Sequence, residues 1–67
     1  MNRQLVKSSN IKSIGWENYI LEIEFFRGIY QYKGVPKHIY DLMMKSPSKG
    51  KFLHSIIIPK YSARRIK

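Results

Sequence analysis

Residues 19–36, YILEIEFFRGIYQYKGVP, constrain what this chain can fold into more than any other stretch. Leu21, Ile23 and Phe25 fall on one side of an extended backbone, with Glu22 and Glu24 on the other. Arg27-Gly28 interrupts the alternation, and Ile29-Tyr30-Gln31-Tyr32 resumes it with β-branched and aromatic residues. Two such runs about a short glycine-containing turn predict a β-hairpin. Lys33-Gly34-Val35-Pro36 closes the second strand and leads into a helix. The hairpin is the platform on which the rest must pack.

Ahead of it, residues 1–6 are expected to form a loose N-terminal arm, with Leu5 and Val6 able to tack onto the core. Ser8-Ser9-Asn10 is turn chemistry, because each side chain can hydrogen-bond nearby backbone. Residues 11–16 read as a first strand with Ile14 and Trp16 on one face. Ile11 is out of phase with that face and Gly15 interrupts the run, so a bulge or bend is expected. Glu17-Asn18 supplies the turn into the next strand, giving an antiparallel meander.

Beyond it, Pro36 suits a first helical position, where its missing N–H is no loss. Ile39, Leu42 and Met43 then make an apolar helical stripe, with His38, Asp41 and Lys45 towards the other side. Ser46-Pro47-Ser48 ends this helix, and either serine can cap the next. Residues 49–58 read two ways. Three consecutive isoleucines suit a buried strand. The serine–proline start and the Pro59 stop favour a helix, despite Gly50. Residues 61–66 are expected to return as a short edge strand blunted by Arg and Lys. The fold class is therefore α+β: a small antiparallel sheet of three to four strands, with two short helices packed on one face.

Sixty-seven residues make one domain, residues 1–67, without cysteine and so without a disulfide or thiolate metal site. A chain this short buries only roughly 60% of the surface its unfolded form exposes. Its net stability is expected near ~3–5 kcal/mol, from packing alone. No apolar run approaches the roughly 18 residues of a membrane span, and MNRQLVKSSN lacks a signal-peptide apolar stretch. A cytoplasmic location is expected.

Charge is the strongest compositional signal. Thirteen basic residues face four acidic ones, for a formal net charge of +9. Glu17, Glu22, Glu24 and Asp41 all lie in the middle. The seven cations Lys45, Lys49, Lys51, Lys60, Arg64, Arg65 and Lys67 have no acidic residue among them. Such asymmetry points to a polyanionic partner, nucleic acid first.

Taken in order, a further pattern emerges. Ser8-Ser9-Asn10-Ile11, Ser13-Ile14-Gly15-Trp16, Leu21-Glu22-Ile23-Glu24-Phe25, Gly28, Tyr30-Gln31-Tyr32, Gly34-Val35-Pro36, Ile39-Tyr40, Leu42, Ser48-Lys49-Gly50-Lys51-Phe52 and Tyr61 together resemble the KTSC domain. This small module is named for its occurrence at the C-terminus of some lysyl-tRNA synthetases. The resemblance spans nearly the whole chain. It implies a module appended to larger proteins or standing alone in bacteria and phages, and by analogy suggests nucleic-acid contact. Trp16 departs from the tyrosine usual in the family, and His54 stands where asparagine is expected.

No catalytic constellation rises above the background. Glu22 and Glu24 read as glutamates on a solvated sheet face rather than an acid–base pair. His54 reads as a surface histidine rather than a base for Ser48 or Ser55. His38 and Asp41 form an ordinary local helix pair. Neither cofactor nor metal is implied, and an enzyme is not expected. Ser48-Lys49-Gly50-Lys51 has two readings: an anion contact at a helix start, or a close-packing glycine between solvated lysines. Tyr30 and Tyr32 share a strand face and are expected to fill the core. Phe26, Tyr40 and Tyr61 are the better candidates for exposure. Tyr61, amid Lys60, Arg64 and Arg65, is either a base-stacking platform or a packed anchor. The leading expectation is non-catalytic binding of nucleic acid, RNA before DNA, through Lys49, Gly50, Lys51, Lys60, Tyr61, Arg64 and Arg65. The alternative is a small protein-interaction module, such as a phage protein docking on an acidic host surface.

Overall fold

The computed structural model describes all 67 residues. Its sheet has five antiparallel strands in sequence order: β1 (Gln4–Leu5), β2 (Ile11–Glu17), β3 (Ile20–Phe25), β4 (Gly28–Lys33) and β5 (Ala63–Arg65). Between β4 and β5 run α1 (Lys37–Lys45) and α2 (Lys49–Phe52), the latter continuing as a widened π turn over Leu53–Ile57. The α+β class holds, but the sheet exceeds the expected three to four strands. The extra strand comes from the arm: Gln4 pairs with Ile14 and Leu5 with Ser13.

The platform hairpin forms as its pattern demands. Leu21 faces Tyr32, Ile23 faces Tyr30, and Phe25 faces Gly28 across a two-residue turn at Phe26-Arg27. The turn before it lies one residue later than expected. Glu17 pairs with Ile20, so Asn18-Tyr19 forms the turn, and both residues have positive φ, 50° and 64°. Asparagine tolerates that region; tyrosine is uncommon there. The Tyr19 carbonyl compensates by accepting from the N–H groups of Gly34 and Val35, at 2.9 and 3.0 Å.

In β2 the irregularity falls between Ile11 and Ser13, where the register shifts. The extra residue, Lys12, rotates Ile11 back into phase with Ile14, and both are fully buried. Ile11, Ile14, Leu21, Ile23 and Tyr32 form the sheet side of the core, closed by Val35, Met43, Leu53 and Ile57. Helix α1 begins at Lys37, with Pro36 just outside as the N-cap residue. Its buried stripe is rotated from the expected one. Leu42 is 53% exposed, while Ile39, Tyr40 and Met44 flank buried Met43 against the core. Residues 49–57 are helical, and the Ser48 hydroxyl caps them by accepting from the Lys51 N–H. The π turn is closed by the Ile58 N–H on the Leu53 carbonyl. It lies just ahead of Pro59, whose ring would crowd the carbonyl of Ser55 in a regular helix. No helix is long and apolar enough to cross a membrane.

Candidate functional site

The two faces of the sheet differ in chemistry. On the face away from the helices, Gly15, Glu22, Gln31 and Arg64 lie opposite one another in one row across β2 to β5. Arg3, just ahead of β1, lies over Gly15. A Cβ on that glycine would sit 2.6 Å from the Asn2 carbonyl oxygen and 3.0 Å from Arg3 Cγ, so only glycine admits the arm. From there the Arg3 guanidinium pairs with Glu22 and donates through Nε to Ser13 Oγ at 3.0 Å. Ser13 Oγ in turn donates to Glu24 at 2.8 Å, and the Gln31 amide donates to Glu22 at 2.8 Å. Ser13 and Glu22 are buried, so Glu22 is not the solvated glutamate the alternation suggested. Burial pushes its carboxyl pKa up, but the hydrogen bonds from Gln31 and Arg3 and the charges of Arg3 and the N-terminus outweigh it. The net result is a pKa below the ordinary value. This network ties down the arm expected to be loose, and it occupies both glutamates.

Asp41 is also occupied. Its partner is Lys37 at 3.3 Å, one turn back, rather than His38. The three ion-paired carboxylates are thus held by Arg3 and Lys37. None of the seven cations from Lys45 onward pairs with an acidic side chain.

Those cations do not form a single patch. Arg64 faces Gln31 and Arg65 faces Tyr30, so consecutive residues of β5 put their side chains on opposite faces. The Lys49 ammonium turns back onto the carbonyls of Met44 and Ser46, at 3.0 and 2.7 Å, where it caps α1. Lys51 and Lys60 are exposed. A Cβ on Gly50 would meet nothing within 4 Å, so close packing is not what the glycine serves. Tyr61 and Tyr40 are half-buried against the core, and Tyr40 stacks on Trp16; only Phe26 is exposed among the three aromatics singled out for exposure.

On the helix side, an open groove of about 490 Å³ lies between the end of the β3–β4 hairpin, β5 and the π turn. Its sheet wall is Phe25, Arg27, Tyr30, Tyr32 and Arg65; its helical wall is Leu53, His54 and Ile58. Phe25 and Tyr30 meet edge to face at 5.6 Å. Arg65 donates from Nε to the Lys67 backbone oxygen and from a terminal nitrogen to the Arg27 carbonyl, both at 3.1 Å. These backbone oxygens orient the guanidinium, and no acidic side chain pairs with it. Gly28 makes room for it: a Cβ there would lie 3.1 Å from Arg65 Nε and 3.0 Å from the Lys67 carbonyl oxygen. Tyr32 is only 4% exposed, yet none of the internal hydrogen bonds involves its hydroxyl, and no buried side-chain polar atom lacks a partner. The open remnant of Tyr32 therefore includes the hydroxyl, on the groove it lines. Burial, with Tyr30 adding, raises the phenol pKa and keeps it a donor.

Of the expected site residues, only Arg65 belongs to this groove. Arg27, Phe25, Tyr30, Tyr32 and His54 were not assigned to a binding site. The shared face of Tyr30 and Tyr32 was a local signal, but the Tyr30–Arg65 pairing spans the helices and leaves no local trace.

Comparisons with known proteins agree with this architecture. Residues 7–61 match the KTSC domain. A protein of Tsukamurella paurometabola is 33% identical over 63 residues, covering 90% of this chain and 94% of the relative. The crystal structure of a KTSC domain protein from Yersinia pestis superposes with a TM-score of 0.94 at 43% identity, covering 98% of this chain and 97% of that one. The matched span, the near-complete coverage and the shared fold together establish that the chain belongs to the KTSC domain family.

Proposed function

We propose that this protein is a non-catalytic nucleic-acid-binding module of the cytoplasm, preferring RNA to DNA and contacting mainly phosphates. The observation that carries the reading is the unneutralised charge of the C-terminal third. Arg3 and Lys37 hold Glu22, Glu24 and Asp41, and the cations from Lys45 onward have no acidic side chain as partner. A surplus of +9 on so small a surface attracts a polyanion through counterion release. Lys51, Lys60, Arg64 and Arg65 are the contacts, on both sides of the β5 edge. Lys49 contributes charge while its ammonium caps α1.

A salt titration of binding to tRNA, single-stranded RNA and duplex DNA tests this. Affinity falls steeply with salt, and neutralising Lys51, Lys60, Arg64 and Arg65 to glutamine flattens the slope by about 2–3 logarithmic units for a single strand. Equal binding by the quadruple variant overturns the assignment. A stoichiometric protein partner recovered from nuclease-treated lysate, with no nucleic acid bound, favours docking on an acidic protein surface instead.

A further inference from the structure

We infer that the groove between the hairpin end, β5 and the π turn is a pocket for a single unstacked nucleotide, its base against Phe25 and Tyr30 and its phosphate on Arg65. This inference rests on the nucleic-acid reading above and assigns it a second, distinct contact.

Three features of the groove converge on that ligand class. Its volume of about 490 Å³ lies within the range of small-ligand sites. Its floor is aromatic and apolar, a surface on which any base can stack without sequence readout. Its rim carries the cations Arg27 and Arg65, with no acidic side chain among the lining residues. A body that is flat and aromatic at one end and anionic at the other is a nucleotide.

The site is also built rather than incidental. Arg65 is oriented by the backbone oxygens of Arg27 and Lys67, which leave its other terminal nitrogen to donate to a phosphate oxygen. Gly28 is the residue that lets the guanidinium lie there. The Tyr32 hydroxyl is a donor that opens onto the groove from an otherwise buried side chain, with no hydrogen bond to another protein group. A ligand oxygen or ring nitrogen in the groove can accept from it in place of water. The π turn widens the helical wall where His54 lines it, and such turns recur at functional sites.

The test is an NMR titration of the full chain with adenosine 5′-monophosphate, with adenosine and inorganic phosphate as separate arms. Saturable shifts are expected at Tyr30, His54 and Arg65, with each half-ligand binding about tenfold or more weakly, as loss of a charge-assisted contact implies. Tyr32→Phe separates a ligand contact from a structural role. It leaves the melting temperature unchanged and weakens the mononucleotide several-fold. Absent shifts, or shifts confined to lysines outside the groove, overturn the pocket while long RNA still binds, leaving the cationic-surface reading intact. Conversely, mononucleotide shifts at the groove in a protein that retains no long RNA support the pocket and refute the surface.

Discussion

The two edges of the sheet each lay an arginine over a glycine of the neighbouring strand, and the two arginines do opposite things. At the β1 edge, Arg3 crosses Gly15 and is consumed by Glu22, Glu24 and Ser13. At the β5 edge, Arg65 crosses Gly28 and hydrogen-bonds only to the backbone oxygens of Arg27 and Lys67. The first closes a buried carboxylate that would otherwise be left uncompensated. The second is oriented with no acidic side chain paired to it. One edge therefore holds the sheet together, and the other presents charge.

The contrast is sharpest in the glycines. Gly15→Val expels the arm and breaks the Arg3 network, so about 2–3 kcal/mol of stability is lost. For a domain of this size that lowers the melting temperature by roughly 10 °C or more. Gly28→Val displaces Arg65 and removes mononucleotide binding, and its thermal loss comes from a side chain forced onto a φ of 159° rather than from a broken ion pair. Retained mononucleotide binding in that variant would break the comparison. The arginines themselves come next. Arg3→Ala costs about 1–2 kcal/mol, since Glu22 keeps only the Gln31 amide. Arg65→Ala costs under about 1 kcal/mol and instead lowers RNA affinity; chemical denaturation beside a binding isotherm reads both.

Acid sharpens the same point. A carboxylate whose folded pKa is depressed stabilises the fold above its unfolded value and loses that contribution as the pH falls through the folded one. The melting temperature of the wild type therefore drops below the ordinary carboxyl value of 4.5, and Glu22→Gln flattens that drop. The smallest effect is at Leu5. It is 74% exposed on β1, so Leu5→Ser changes stability by less than about 0.5 kcal/mol. A larger loss would mean that apolar contact, not the Arg3 network, anchors the arm.

Much of this fold was legible locally. The alternation through Leu21, Ile23 and Phe25 specifies the platform, and the serines and prolines around 46–59 punctuate the helices. What escaped was two-sided. A two-residue strand such as β1 has no periodicity to read, and Arg3 gains meaning only beside Gly15 and Glu22. The α1 stripe of Ile39, Leu42 and Met43 was equally helical as Ile39, Tyr40, Met43 and Met44, and only the shape of the sheet chose between them. The basic tail read as one patch because charge in a sequence carries no direction. Once Ala63–Arg65 became a strand, its period of two sent Arg64 and Arg65 to opposite faces.

From the order of residues alone came the class of the fold, the hairpin at its centre, the family and the excess of positive charge. Each follows from neighbours within a few positions, or from simple counting. Which cations stay unpaired, and which aromatics share a groove with an oriented guanidinium, emerged only when β1 and β5 closed the two edges of the sheet. Those contacts join residues from opposite ends of the chain, and no local pattern encodes which partner a charged side chain will meet.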